Sequence, residues 1–373
     1  MESNRIGYLD SLRGVAALGV ACIFHYTHFS SAFQPGSMPL EQAPFWSFLP
    51  LQLLYRYGLA CVDLFFVLSG IIFAHKYVGI ISNGQLSGVR FFRLRFARLY
   101  PLHLVSLLIV AVLVYCYSRK FGSYPIYGDN DLKHFLLNLF FVQHGVVDLA
   151  YSFNGPAWSL SVEAVMYLLF WLTCRQSARL VLWVALCLIG ISAIVLALPW
   201  PLLNDSIGRG LLGFFSGCLL QQSAARSGAS RREALKPFLV SAAIVFCMVA
   251  IRLAGLLVLP VYLYFIGSFV CLLSLMFAFP LLQRMIDLAP LRFLGDISLG
   301  VYLLHIPIQI GILFFLRINQ AAIPFEKPWF LMLYMTIVIA VSTAVHYAFE
   351  LPAQKILRGR SAVPVRATGQ ATR

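Results

Sequence analysis

The sequence predicts an all-α membrane protein, a helical bundle with about ten transmembrane helices and both termini in the cytoplasm. Hydrophobic residues make up 60% of the 373 residues and charged residues only 11%, whereas a soluble domain carries roughly 25% charged residues. Apolar runs recur along the chain at lengths that can cross a bilayer, which takes about 20 helical residues. The loops between them alternate between rich and poor in Lys and Arg, a pattern typical of polytopic membrane proteins.

Ten apolar runs are predicted to span the membrane. Their approximate limits are 11–31, 58–78, 99–117, 157–174, 180–200, 206–222, 237–257, 259–282, 297–316 and 329–349. A further apolar segment, 134–144, is too short to span, and we expect an interfacial or re-entrant helix there. The membrane domain is predicted to occupy 1–357, and the basic tail over 358–373 is predicted to be disordered.

The distribution of basic residues predicts the orientation. One side of the predicted bundle receives 20 of the 28 Lys and Arg residues, and the other side receives seven. An excess of Lys and Arg marks cytoplasmic loops, so both termini are placed in the cytoplasm. The same rule accounts for the net charge of +14 without a nucleic-acid partner. We therefore predict a multi-pass protein of the plasma membrane, the inner membrane in a bacterium, whose first apolar run is a retained anchor.

Eight cysteines are scattered along the chain, mostly within apolar runs. They form no Cys-x-x-Cys pair and no Cys/His spacing of the kind that binds a metal. We interpret them as small core residues, and we predict no metal site.

The first apolar run carries an arginine and a histidine at its two ends. Eleven residues, none of them polar, separate Arg13 from His25, which places His25 about 18 Å of helical rise beyond Arg13. A lone buried histidine often only satisfies a neighbouring backbone carbonyl. Ionisable groups inside a bilayer are costly, however, and mostly line cavities or pair with one another. Because Asp63 and Glu163 are also predicted to be buried, a functional interpretation is favoured.

Two acidic residues enter the membrane in other spans. Asp63 stands near the start of the second span, where it caps the helix or takes part in function. Ser69 and Gly70 follow at mid-span, where the glycine permits close helix packing. Glu163 lies one turn inside the fourth span, where we expect it to line a polar cavity or to pair with a cation.

An arginine-rich segment precedes the third span. It contains Arg90, Arg93, Arg95 and Arg98 among aromatic residues. Such residues anchor many cytoplasmic loops. In a helix, a spacing of three also puts Arg95 and Arg98 on one face, where two guanidinium groups suit a polyanionic phosphate ligand.

The chain resembles the acyltransferase-3 family of integral-membrane acyltransferases. Six segments between positions 8 and 355 carry the resemblance: YLDSLRGVAALGVACIFHY, VDLFFVLSGIIF, RFARLYPL, NGPAWSLSVEAVMYLLF, FLGDISLGVYLLHIPI and YAFELPAQK. The resemblance implies transfer of an acyl group, usually acetyl, from acyl-CoA at the cytoplasm to a hydroxyl of a cell-surface or exported glycan or glycolipid. Family members often carry an additional soluble esterase-like domain. We expect this chain to act without one, either alone or by passing its acyl group to a separate protein.

The resemblance also assigns residues. Arg13 and His25 match the family's arginine–histidine motif, and Arg95 and Arg98 match its Arg-x-x-Arg motif near the acyl-CoA phosphates, with Arg93 beside them. The family usually has ten residues between the arginine and the histidine, whereas this chain has eleven. On an ideal helix the extra residue turns His25 about 120° away from Arg13. We hypothesise that a π-bulge near Gly14 or Gly19 absorbs it.

The predicted catalytic group is His25 with Asp63, Glu163 and Arg13. Histidine is the natural base near neutral pH, and it either deprotonates the acceptor or first carries the acyl group itself. Asp63 or Glu163 is expected to orient the imidazole, unless either pairs with Arg13. The candidate acceptor-binding residues are Ser69, Trp158, Ser161, Tyr167 and His305. We expect a continuous cavity from the segment 90–98 to His25.

Two other classes of protein remain compatible with buried charges. A transporter or flippase moves an acyl group or a lipid-linked sugar without chemistry, and its polar residues line a path across the membrane. A scaffold uses its polar residues only for packing, so it needs no large polar cavity. The family segments favour the enzyme over both.

Overall fold

The fold is an all-α bundle, as the sequence predicts. The computed structural model describes residues 6–31, 38–144, 147–197, 205–227 and 231–359, and its regular elements over these residues are helices. The α-helices are α1 (Gly7–Leu18), α2 (His28–Ser31), α3 (Leu49–Tyr57), α4 (Ala60–Ser82), α5 (Gly88–Phe121), α6 (Leu132–Leu139), α7 (Trp158–Gln176), α8 (Ala178–Ala197), α9 (Asp205–Ser227), α10 (Arg231–Leu253), α11 (Val261–Ala278), α12 (Pro280–Ile286), α13 (Ala289–Asp296), α14 (Ser298–Ile318), α15 (Pro328–Val345) and α16 (Leu351–Arg358). Two π-helical segments, Gly19–Phe24 and His346–Glu350, interrupt longer helices.

Eight helical segments of the described chain are long and apolar enough to cross a membrane. They are Gly7–Ser31, Ala60–Ser82, Gly88–Phe121, Gly155–Gln176, Arg232–Leu253, Val261–Ala278, Ser298–Ile318 and Pro328–Arg358. They correspond to eight of the ten predicted spans. The other two predicted spans are also helical, as α8 and α9, but α8 has only a shorter apolar part, Arg179–Ile194. Helix α9 carries Arg209 and two glutamines, so it is less apolar than the eight.

The arginine-rich segment before the third span is helical. Helix α5 runs for 34 residues without interruption, and the Ser87 side chain accepts a hydrogen bond from the backbone N–H of Arg90 at its start. The predicted span at 99–117 is therefore the later part of a longer helix. The short helix predicted over 134–144 is α6, and residues 360–373 of the predicted tail lie outside the described residues.

Helices α4 and α9 cross at very short range through glycines. A Cβ atom built on Gly70 would lie 1.9 Å from the Phe214 carbonyl oxygen, and one built on Gly217 would lie 2.1 Å from the Val67 carbonyl oxygen. Gly213 and Gly217 form the small-x-x-x-small spacing that lets membrane helices approach closely. This contact fixes α4, and with it Ser69, against the rest of the bundle.

Replacing Gly70 by alanine is expected to destabilise the protein by about 1–3 kcal/mol, because the added methyl group meets rigid backbone. Gly79 is the matched control, since it lies on the same helix and a Cβ built there meets no atom within 4 Å. Gly79→Ala is expected to stay within about 1 kcal/mol of the wild type. Thermal unfolding in detergent measures both, and equal midpoints for the two variants would contradict the packing assignment.

A second close contact positions the first helix. A Cβ atom on Gly14 would lie 2.7 Å from the Gly295 backbone nitrogen, and one on Gly295 would lie 2.1 Å from the Asp10 carbonyl oxygen. Helix α1 therefore lies directly against α13 and the start of α14. As a result, the segment that follows α1 lies alongside α14.

Candidate active site

The extra residue between Arg13 and His25 is absorbed by a π-helical turn, which confirms the hypothesis drawn from the spacing. The segment Gly19–Phe24 is π-helical, and the His25 backbone N–H donates to the carbonyl of Val20, five residues earlier. Arg13 and His25 consequently both face α14. The Arg13 guanidinium lies 3.5 Å from the Ser298 hydroxyl, and His25 contacts His305, seven residues further along the same helix. Such single-turn bulges are frequent at functional sites.

Histidines from the first span and from α14 meet inside the bundle. His25 Nδ1 lies 2.9 Å from His305 Nε2, and the two rings are nearly parallel, at 12°. His28 also stacks against His25, with ring centroids 5.1 Å apart. Gln309 donates through Nε2 to the His25 carbonyl at 2.8 Å, and its Oε1 lies 3.0 Å from His28 Nδ1. His25 is 6% exposed and His305 is fully buried, so this cluster is an enclosed polar site.

A partly open cavity of about 70 Å³ lies within the bundle near this cluster. Its lining along α4 extends from Val62 to Phe73, about 16 Å of helical rise. The polar lining residues are Arg13, Ser69, Arg98, Ser159, Glu163, Tyr167, Ser298 and Tyr302. The structure therefore brings five of the predicted site residues together around one cavity: Arg13, Ser69, Arg98, Glu163 and Tyr167.

The carboxylate in the cavity is Glu163. Its Oε1 accepts hydrogen bonds from the Ser69 hydroxyl, at 3.0 Å, and from the Tyr167 hydroxyl. Arg13 lines the same cavity, but its nearest carboxylate is Asp10, at 3.4 Å. Glu163 and Arg13 thus place one negative and one positive charge on the wall of the cavity, which suits an elongated polar substrate.

The end of the cavity at Arg98 is strongly cationic. Arg98 lines the cavity itself. Arg95 lies behind it, where it stacks over Phe73 at 5.0 Å and donates to the Tyr77 hydroxyl at 2.7 Å. Lys76 adds a further positive charge near both arginines, and these like charges repel one another. Arg93 is turned away from the cavity and donates to the Arg358 carbonyl. Of the three predicted phosphate ligands, Arg98 is therefore the one that reaches the cavity directly.

Asp63 does not orient His25, contrary to the expectation that it does. Its two carboxylate oxygens accept from Arg209 Nε at 2.8 Å and from an Arg209 terminal nitrogen at 3.1 Å. The side chain of Asp63 is fully buried and that of Arg209 is 3% exposed. The Arg209 guanidinium also lies over the Tyr262 ring at 4.1 Å. Buried charges require such a partner, and Arg209 engages both oxygens of the carboxylate. Glu163 likewise bonds Ser69 and Tyr167, not the imidazole.

Two predicted acceptor ligands lie in packed surroundings. Trp158 is 2% exposed and packs against Phe66. The Ser161 hydroxyl is fully buried and donates to backbone carbonyls, among them that of Trp158 at 2.6 Å. Neither side chain lines the cavity. Ser69 and Tyr167 do line it, and His305 is instead the direct partner of His25.

The cavity does not reach His25, contrary to the expected continuous path. Its lining includes neither His25 nor His305 but ends at Tyr302 and Ser159. The Tyr302 ring centroid lies 6.2 Å from that of His305. The Tyr302 hydroxyl donates to the Pro156 carbonyl at 2.6 Å and lies 2.9 Å from the Ser159 hydroxyl. Tyr302 therefore stands between the cavity and the histidines.

Sequence reasoning missed four residues of this region. Gln309 and His28 contact His25, Tyr302 separates it from the cavity, and Arg209 neutralises Asp63. A signal was present for Gln309, because it is polar, lies within an apolar span and follows His305 by one helical turn. Among the described residues, no group of three or more His, Cys, Asp or Glu is arranged to hold a metal ion.

Fold and site together define a multi-pass helical membrane protein with a charged internal cavity beside a histidine cluster. The chain belongs to the acyltransferase-3 family, because the model of the family's acyltransferase domain matches residues 6–347. This confirms the resemblance seen in the motifs.

Two curated relatives support the assignment. Acyltransferase MdmB of Streptomyces mycarofaciens is 30% identical over 203 residues, which are 52% of this chain and 46% of that protein. Protein 2 in the picA locus of Rhizobium radiobacter is 31% identical over 207 residues, which are 52% of this chain and 93% of that protein. The match thus covers about half the length of the Streptomyces acyltransferase. No solved structure matches the chain significantly.

Proposed function

We propose that this protein transfers an acyl group, most simply acetyl, from acyl-CoA to a hydroxyl of a cell-surface or exported glycan. The proposal rests on the cavity. It extends from its cationic end at Arg98 to Tyr302, whose ring lies beside the histidine cluster. Coenzyme A combines several phosphate charges with a long, thin pantetheine arm. The arginines suit the phosphates, and the cavity suits the arm.

In this proposal the arginine-rich end faces the cytoplasm, where acyl-CoA is made. The excess of basic residues at that end supports this orientation. The phosphates bind at Arg98, with Arg95, Lys76 and Arg13 adding positive potential. The arm passes Glu163 and Tyr167 and displaces the Tyr302 ring to bring the thioester to His25. The acceptor reaches His25 from the opposite end of the bundle.

The proposed chemical step begins with a neutral imidazole at His25, which can accept a proton. His25 takes the proton of the acceptor hydroxyl as its oxygen attacks the thioester carbonyl. The carbon–sulfur bond of the resulting tetrahedral intermediate breaks, and the imidazolium returns its proton to the departing thiolate. The products are an O-acyl ester and free coenzyme A, and His25 is regenerated. The chemistry balances without a metal or a redox cofactor.

Membranes containing the protein, incubated with acetyl-CoA labelled in the acetyl group, test the function. The label is expected in extracted glycan or glycolipid, in an ester released by mild base. Membranes from cells without the protein are the control. Label that accumulates inside vesicles as free acetate or acetyl-CoA, with no ester formed, would contradict the proposal and favour a transporter.

Replacing Arg98 by glutamine is expected to raise the KM for acetyl-CoA roughly 10- to 100-fold. The lost contact is a charge-assisted hydrogen bond of about 1.5–3 kcal/mol, and each 1.4 kcal/mol is about tenfold in affinity. Titration of coenzyme A into the purified protein checks the change, which is expected to shrink as salt increases. Arg119 is the matched control, because it lies exposed near the other end of the same helix. Equal affinities for Arg98→Gln and Arg119→Gln would place the phosphates elsewhere.

A further inference from the structure

The contacts of His305 determine which nitrogens of the paired histidines carry protons. His305 Nδ1 lies 3.2 Å from the Val301 carbonyl oxygen. A carbonyl only accepts hydrogen bonds, so His305 Nδ1 is the protonated nitrogen. In a neutral imidazole the other nitrogen is then an acceptor. His305 Nε2 therefore accepts from His25 across 2.9 Å, and His25 carries its proton on Nδ1.

The surroundings favour a neutral His305. Its ring is fully buried, and the nearest ring partners are His25 and Tyr302. Neither of its nitrogens bonds a carboxylate among the contacts of the described residues. A cationic ring in such a place would bear an uncompensated charge. The series of hydrogen bonds from Val301 through His305 to His25 thus leaves His25 Nε2 with a free lone pair.

Gln309 completes the arrangement one turn along α14. Its Nε2 must donate to the His25 carbonyl, at 2.8 Å, which fixes the orientation of the amide. Its Oε1 then accepts from His28 Nδ1 at 3.0 Å. A single helix therefore holds the ring of His25, the backbone of His25 and the neighbouring ring of His28.

We propose that His305 and Gln309 are positioning residues that hold His25 in the Nδ1-protonated tautomer, with Nε2 free to act as the base. The catalytic consequence rests on the proposed function, whereas the tautomer itself does not. When His25 Nε2 accepts the acceptor's proton, the Nδ1–H bond to His305 stabilises the imidazolium. His305 plays the part that a carboxylate plays in serine hydrolases, without bringing a negative charge into the bundle.

Nitrogen-15 NMR of histidine-labelled protein in detergent tests the tautomer directly. The His25 signals are assigned by their loss in His25→Gln. In the wild type, we expect a protonated Nδ1 and an unprotonated Nε2. In His305→Ala, we expect both tautomers to be present, and in His305→Gln, whose amide oxygen can still accept, the wild-type form. A wild-type His25 protonated at Nε2 would overturn the proposal.

Kinetics with labelled acetyl-CoA and membranes provide the second readout. His305→Ala is expected to lower kcat on the order of 100-fold with less than about a twofold change in the KM for acetyl-CoA. His305→Gln is expected to restore kcat to within about fivefold of the wild type. If His305→Ala changes neither the tautomer nor kcat, the positioning role is wrong. If instead the wild-type membranes form no ester from labelled acetyl-CoA, the proposed function fails while the NMR result stands by itself.

Discussion

Replacing His25 by alanine is expected to reduce acyl transfer by a factor on the order of 10²–10⁴, the usual contribution of a positioned general base. The imidazole is buried at the end of a π-helical turn, which aims it at α14, and its contacts are with His305, His28 and Phe24. Because the cationic end of the cavity is unchanged in this variant, the affinity for coenzyme A is expected to stay within about twofold. The measurement is the rate of ester formation from labelled acetyl-CoA, with coenzyme A binding measured on the same preparation.

Two further variants separate chemistry from structure. His25→Gln keeps most of the side-chain volume and is expected to be as inactive as His25→Ala, since an amide is not a base. His75→Gln is the control, because His75 is exposed and its Nδ1 contacts Gln221 at 3.3 Å, away from the cluster. Transfer by His25→Ala at more than half of the wild-type rate would remove His25 from the reaction.

Breaking the buried ion pair is expected to have the largest effect on stability. Asp63→Ala leaves Arg209 as an uncompensated charge, and Arg209→Ala does the same to Asp63, so each is expected to cost about 3–5 kcal/mol. The double variant Asp63→Ala/Arg209→Ala is expected to cost less than the sum, because the two residues act as a unit. Thermal unfolding in detergent, with a double-mutant cycle, measures the coupling.

An exposed pair is the matched control for this experiment. Glu233 lies 2.6 Å from Lys236, with both side chains about half exposed or more, and Glu233→Ala is expected to change stability by less than about 1 kcal/mol. The folded fraction of Asp63→Ala is expected to keep kcat within about threefold of the wild type. A loss of transfer without a loss of stability would show that Asp63 acts in the chemistry after all.

Much of this architecture was predictable from the sequence because a helix that crosses a bilayer needs a long apolar run. The apolar runs identified every long helix of the described chain. The eleven residues between Arg13 and His25, compared with the ten that the family resemblance implies, led to the hypothesis of a π-helical turn. Helix periodicity fixes which face a residue occupies, so an extra residue has to be absorbed if two groups share a face. His305 was also predicted to belong to the site, although as an acceptor-binding residue.

Pairings between distant helices could not be predicted. Arg209 lies within the predicted span 206–222, but 146 positions separate it from the carboxylate that it neutralises. Similarly, Asp63 and Glu163 were equivalent candidates for orienting His25, and only the packing shows that a second histidine occupies that place. Contacts of this kind depend on how helices cross, which is set by glycines such as Gly70 and Gly295, not by local pattern.

A structure with coenzyme A bound, determined by electron cryomicroscopy in a lipid nanodisc, would show whether the thioester reaches His25 through the cavity. We expect phosphates at Arg98 and a pantetheine arm along Glu163 and Tyr167. We also expect a Tyr302 ring turned away from Pro156, which leaves the sulfur within contact distance of His25 Nε2. Coenzyme A bound outside this cavity, or an arm that stops at Ser159 with Tyr302 still bonded to Pro156, would contradict this route.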